Sequence, residues 1–343
     1  MQPHLDTPPP LPQPRGPLSE HVLGALALPP CELPPAPPAT GDVLRGDDDF
    51  HLTLYCLYEL HYRGFEAVDD RWEWEPSALR VRQKLERCLE EALREELGPH
   101  APPRPEELAD HLKLLLESAS GPSLSRYLEM RATLDEFREM LVHKSAYQLK
   151  EADPHSFAIP RLSGRAKVAM LEIQFDEYGS GKPERQHALL FASTMEALGL
   201  DPRYGAYLEA IPGCTLAAVN LMSMCGLQRR LNAAIVGHLA ALEMDSTQPN
   251  RRYGNGLRRL GFGKPATDFF DEHVEADAVH EALAAHDLAA ALAKDDPSLT
   301  EEIVFGVRAM LLLDEATARF VSGRWAAGES SLLHPLPMHE AVT

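Results

Sequence analysis

Residues 271–280 read Asp-Glu-His-Val-Glu-Ala-Asp-Ala-Val-His. On an α-helix, offsets of four and three carry His273, Asp277 and His280 onto one face, one above another. Two imidazoles and a carboxylate stacked in this way suit one or two divalent ions of the iron or manganese type. The same ten residues also read as a solvated acidic face with incidental histidines, because His and Asp are common on exposed surfaces. Their apolar neighbours Phe269, Phe270 and Val274, with Ala276 and Val279, leave the buried side of this helix open.

Around this stretch the pattern is helical throughout. Ser77 caps a helix whose Leu79, Val81, Leu85, Cys88, Leu89 and Leu93 keep the i, i+3, i+4 spacing. Similar amphipathic stretches cover about 105–118, 123–150, 163–178, 184–199, 214–243, 250–261, 265–294 and 298–321. Gly or Pro breaks them at Gly98-Pro99, Gly121-Pro122, Asp153-Pro154, Gly179-Ser180-Gly181 and Pro212-Gly213. There is no internal repeat and no period-two alternation long enough for a sheet, so the chain reads as an all-α bundle of roughly ten helices.

Further candidate ligands flank these helices. Glu177 closes one of them, and His187 follows after a glycine turn. Glu243 ends a nearly all-apolar helix, where a carboxylate is costly unless it sits at the rim or holds a cation. Glu151 follows a long amphipathic helix, just before Pro154.

Together these residues resemble the haem-oxygenase-like di-iron oxidases and oxygenases, or iron-containing redox enzymes. In that family a Glu and a His come from one core helix or its kink, a Glu from a second, and His-x3-Asp-x2-His from a third. Glu177 with His187 matches the first element, Glu243 the second, and His273, Asp277 and His280 the third. Members resembling an N-oxygenating branch carry one more upstream carboxylate, at the position Glu151 occupies. In other branches the first Glu and His lie closer together, and Glu151 with His155 would then replace Glu177 with His187. The resemblance implies two Fe(II) ions that reduce dioxygen. It also implies a small amine or amino-acid-type substrate, with desaturation or C–C cleavage of an amino or fatty acid as the alternative outcome. A non-enzymatic helical binding protein on the same scaffold is the competing class. Four carboxylates would be neutralised by two Fe(II) ions, leaving three neutral imidazoles. A ferritin-like site needs two Glu-x-x-His motifs, and only Glu184 to His187 is present.

Composition sets off a Pro-rich disordered tail (1–45); accessory helices (46–150), the haem-oxygenase-like di-iron core that the resemblance implies (151–322) and a C-terminal tail (323–343) follow. The first segment holds 13 of the 29 prolines, which favours extended conformations, although Val22 to Leu26 is apolar enough to fold back. With 33 Lys+Arg against 52 Asp+Glu, a net charge of −19 repels nucleic acid and anionic membranes alike. Five scattered cysteines without a CxxC, and no secretory signal, fit a reducing cytoplasm. The uncharged run from Ala210 to Gln228 contains Pro212, Gly213, Asn220 and Ser223 and reads as a buried helix. Expected partners are the small substrate and dioxygen, with an external electron donor and a homodimer both compatible.

Weaker motifs carry less. Gly254-Asn-Gly256 and Gly261-Phe-Gly263 lack the third glycine and the strand of a dinucleotide site, and Gly181-Lys182 and Gly263-Lys264 lack the phosphate-loop spacing. Glu59 with His61 reads as a helix surface or a local ion pair, and Trp72-Glu73-Trp74 as a packing anchor.

Overall fold

The computed structural model describes residue 5, residues 7–38 and residues 41–336, apart from the side chains of residues 45 and 276–279. Every regular element among the described residues is helical. In order these are α1 (Pro17–Leu26), α2 (Asp48–Glu59), α3 (Pro76–Leu97), α4 (Leu108–Glu117) and α5 (Leu124–Met130). Then come α6 (Leu134–Gln148), α7 (Asp153–Ser156), α8 (Gly164–Glu177), α9 (His187–Ala197) and α10 (Gly213–Leu227). The chain ends with α11 (Asn232–Asp245), α12 (Thr247–Arg259), α13 (Asp268–Ala282), α14 (Ala290–Asp295) and α15 (Thr300–Ala326). A π-helical segment, Leu283–Ala289, joins α13 to α14.

Two expected helices are each divided. The 123–150 stretch becomes α5 and α6 because Thr133 and Glu136 form a reciprocal capping box that starts a new helix. The 214–243 stretch becomes α10 and α11, joined by a 3-10 turn at Arg229–Leu231. Gly226, the penultimate residue of α10, lies just before this second break.

α11 runs through the centre of the bundle against α15. A Cβ on Gly237 would stand 2.0 Å from the Ile303 carbonyl oxygen, and one on Gly306 2.0 Å from that of Ala234. The two backbones therefore touch, which glycine alone permits. α10 packs between α2 and α15. Among the described residues no helix is long and apolar enough to cross a membrane; α10 spans the protein interior instead, with thirteen of its residues buried.

The N-terminal segment differs from the disordered tail expected over 1–45. α1 packs on α2 and buries Leu18, Val22, Leu23 and Leu26. The Leu18 and Ser19 amides donate to Asp49 at 2.9 and 2.7 Å, and Arg15 donates to the carbonyls of Leu208 and Ile211. The prolines supply extended flanks without internal bonds, while the apolar stripe between them provides the surface that docks. At the other end α15 continues to Ala326, past the expected boundary at 322. Beyond it the Ser331 amide and hydroxyl both donate to buried Glu139. The N-terminal helices, the bundle and this strap share one apolar core.

Glu59 is not on a helix surface. It is fully buried and pairs with Lys150 at 2.9 Å, 91 residues away, while His61 pairs locally with Glu73 at 3.2 Å. Trp72 is a buried anchor whose indole N–H donates to the Leu28 carbonyl, whereas Trp74 is largely exposed. Cys56 and Cys225 are fully buried and Cys31 is exposed.

Candidate metal centre

Four helices and one loop bring the predicted residues together. Glu177 is the last residue of α8, and the chain reverses at Gly179, whose φ of 89° lies in the left-handed region. A Cβ there would stand 2.4 Å from the Lys182 carbonyl oxygen and 2.7 Å from the Gln186 amide, so the turn requires glycine. The reversal starts α9 at His187 and brings its Nδ1 to 2.9 Å from Glu177 Oε2. Glu243 lies near the end of apolar α11. His273 and His280 are buried on α13, and Glu151 comes from the loop between α6 and α7.

The donors form two overlapping groups. Glu151, Glu177, His187 and His273 offer atoms that all lie within 4.8 Å of one another, as do Glu177, Glu243 and His280. Glu177 belongs to both. Within the first group His273 Nε2 lies 3.5 Å from Glu151 Oε1, and within the second His280 Nδ1 lies 3.3 Å from Glu243 Oε2. The His187 and His273 ring centroids are 4.3 Å apart. The side chain of Asp277 lies outside the described residues, although its backbone continues α13 between the two histidines.

Electrostatics make this cluster unlike a solvated acidic face. Burial pushes the Glu243 carboxyl upward, and the Glu177 charge adds to it, against the opposing pull of His280. Burial also disfavours charge on His280, but Glu243 and Asp176 outweigh it and raise this imidazole to about 9. Glu151 Oε2 is buried without a hydrogen-bond partner. Among the described residues no Lys or Arg pairs with Glu151 or Glu243. Buried carboxylates with imidazoles and no cation of their own are the donor set that a divalent iron-type ion satisfies.

Two of the imidazoles are held from behind. His273 Nδ1 donates to the Phe269 carbonyl at 2.8 Å, which leaves Nε2 with its lone pair toward the cluster. His280 Nε2 lies 3.0 Å from Asp176, whose other oxygen accepts from Ser180 Oγ at 2.6 Å. Asp176 escaped the sequence reading; its place immediately before Glu177 was the available signal. Tyr147 was missed as well. Its phenol is pushed up first by burial and then by Glu151, Glu177 and Glu243, so it stands beside all three carboxylates.

His155 is not part of the cluster. Its Nε2 lies 3.2 Å from His238 Nδ1, and burial pushes both imidazoles down, His238 to about 3. Glu151 therefore approaches His273 rather than His155. Glu151, Glu177, Glu243 and His273 open onto a cavity of about 570 Å³. Met140, Leu242 and Met310 supply apolar wall, and Lys144, Asp245 and Asp314 supply charge.

The model of a family described as iron-containing redox enzymes matches residues 138–315, from α6 into α15. A nitrosourea synthase from Streptomyces achromogenes subsp. streptozoticus is 27% identical over 179 residues. That alignment takes in 52% of this chain and 38% of the relative, so the chain spans well under half of the relative's length. The family match takes in more than half of the chain and every donor named above, from Glu151 to His280. This helical oxidoreductase belongs to the iron-containing redox enzyme family.

Proposed function

We propose that the chain is a non-haem di-iron enzyme that uses dioxygen to N-oxygenate or otherwise oxidise a small amine or amino-acid-type substrate. The observation that carries this reading is Glu177. One carboxylate common to two donor groups is the arrangement that sets two ions side by side. Glu151, His187 and His273 would hold one iron, Glu243 and His280 the other, with Glu177 between them and Asp277 completing the set. Bound Fe(II) would supply electrons to dioxygen and open coordination positions.

The chain's own residues do the rest. The Phe269 carbonyl and Asp176 fix the ring orientation of His273 and His280, which keeps the donor nitrogens aimed inward. The cavity is of a size to take a small ligand against the carboxylates. Asp314, which is exposed, lines it together with Asp245 and Glu315 and with Lys144 and Arg252. On this wall three carboxylates outnumber the two cations Lys144 and Arg252, which suits a substrate with an amine group. The nitrosourea synthase likeness supports the same substrate class.

Anaerobic loading with Fe(II) followed by metal analysis tests the centre, with two irons per chain expected. Exposure of the loaded protein to dioxygen with candidate amines then tests the reaction. A product that has gained an oxygen atom on nitrogen is expected. Loss of two hydrogens or a cleaved C–C bond would replace N-oxygenation with the other outcome. No iron uptake would overturn the reading.

A further inference from the structure

α2 lies outside the family-matched segment, yet its C-terminal end reaches both backbone stretches that carry Glu151 and Glu177. Glu59 Oε2 accepts from Lys150 Nζ at 2.9 Å and from the Tyr204 hydroxyl at 2.6 Å. Glu59 and Lys150 are 0% and 1% exposed, and the ammonium lies 4.2 Å from the Tyr62 ring centroid and 4.7 Å from that of Tyr55. Lys150 is the residue before Glu151.

The residue after Glu151 is strained. Ala152 has a φ of 75°, a region that Cβ-bearing residues avoid and that persists only where the surroundings over-determine it. A second arm reaches the other carboxylate. Arg63, whose amide donates to Glu59 Oε1 at 3.3 Å, lies 3.2 Å from Asp153 Oδ2. Asp153 Oδ1 accepts from the Tyr178 hydroxyl at 2.8 Å, and Tyr178 follows Glu177.

A buried ammonium–carboxylate pair seldom stabilises a fold more than apolar residues of the same volume would, so stability alone does not account for this one. We propose that Glu59 and Lys150, with Arg63 and Asp153 as a second arm, are positioning residues that hold Glu151 and Glu177 in register with each other. The inference rests on the ligand set proposed above. It makes the metal centre depend on a helix that the family match does not include. Glu151 leaves a helix end with a strained neighbour, and the locked Lys150 is what keeps its side chain from swinging away.

The test is anaerobic titration of the full chain with Co(II), followed by its visible ligand-field absorption. The double variant Glu59→Leu/Lys150→Met exchanges the charged pair for apolar residues and keeps the core filled. Circular dichroism and the unfolding temperature of the metal-free protein confirm its fold. We expect the second Co(II) equivalent to bind about 10- to 100-fold more weakly than in the wild type, with an altered absorption envelope. Arg63→Gln and Tyr178→Phe, at the less buried arm, should weaken it in the same direction by less. Wild-type affinity and spectrum in the folded double variant would overturn the proposal. Should that variant not fold, unchanged Co(II) binding by both second-arm variants would overturn it instead. A wild type that binds no Co(II) overturns the metal reading and the clamp together, whereas normal wild-type binding with unaffected variants overturns the clamp alone.

Discussion

Two populations of buried histidine occupy neighbouring parts of this protein, and they behave oppositely. His187, His273 and His280, at the junction of α8, α9, α11 and α13, each face a carboxylate. His51, His143, His155 and His238, in the wall built from α2, α6, α7, α10 and α11, face neutral partners. These are the Val43 carbonyl for His51, Thr215 and Ser331 for His143, and each other for the last two. Burial alone drives an imidazole to its neutral form, and His51 and His143 are pushed down to about 4. Burial beside carboxylates instead leaves charge to be balanced, which a divalent ion does. A histidine's environment, more than its burial, therefore separates a prospective ligand from a core residue.

The comparison breaks most visibly at its extreme members. His280→Ala or His273→Ala should abolish at least one iron per chain in anaerobic Fe(II) titration, together with all oxygen consumption. In the metal-free state His280→Ala also leaves Glu243 buried without its partner, at a cost of about 3 kcal/mol measurable by urea unfolding. Retention of two irons by either variant would end the distinction. Glu151→Ala should do less, keeping the ion at Glu243 and His280 while weakening the other. Glu177→Ala should remove both, because both donor groups use it. Indistinguishable titrations of these two variants would show that Glu177 is not shared.

Acid should expose the neutral population. An unfolded imidazole titrates near 6.5, whereas His51, His143 and His238 hold out to about 4, 4 and 3. Below pH 6.5 the unfolded chain takes up protons that the native one refuses, so stability is present above that pH and falls as acid is added. Each such group contributes about 1.4 kcal/mol per pH unit once the unfolded form is protonated. Urea unfolding of the metal-free protein from pH 7 to 5 should show this, and His238→Gln should flatten the slope by about one proton. An unchanged slope would mean that His238 is protonated in the native state. The smallest effect is expected from His155→Ala, which should leave iron content at the wild-type level; loss of iron there would move His155 into the centre.

Much of this was legible from local pattern. Helical periodicity located most of the helices, and the 4-plus-3 offset placed His273 and His280 on one face because an α-helix fixes that geometry without tertiary help. Glu177 and His187 were readable through the glycine turn between them. What escaped depends on contacts remote in sequence. Nothing near Glu59 signals that it meets Lys150, because that pairing is made by the packing of α2 against α10 and the loop after α6. The break between α10 and α11 is preceded only by Gly226, which stays helical and packs against the Pro154 carbonyl, so periodicity ran through it. The proline content of the first 45 residues concealed α1, whose stability comes from the Asp49 bonds and its contact with α2 rather than from its own propensity.

The crossing of α11 and α15 carries a consequence for how this sequence can drift over generations. Where Gly237 and Gly306 let backbone meet backbone, no side chain is available to repack around an added methyl group. Any substitution there must part α11 from α15, and Glu243 rides on α11 six residues beyond Gly237. Inherited variation at these two uncharged positions is thus read out at the donor cluster, so selection on the chemistry reaches residues that take no part in it.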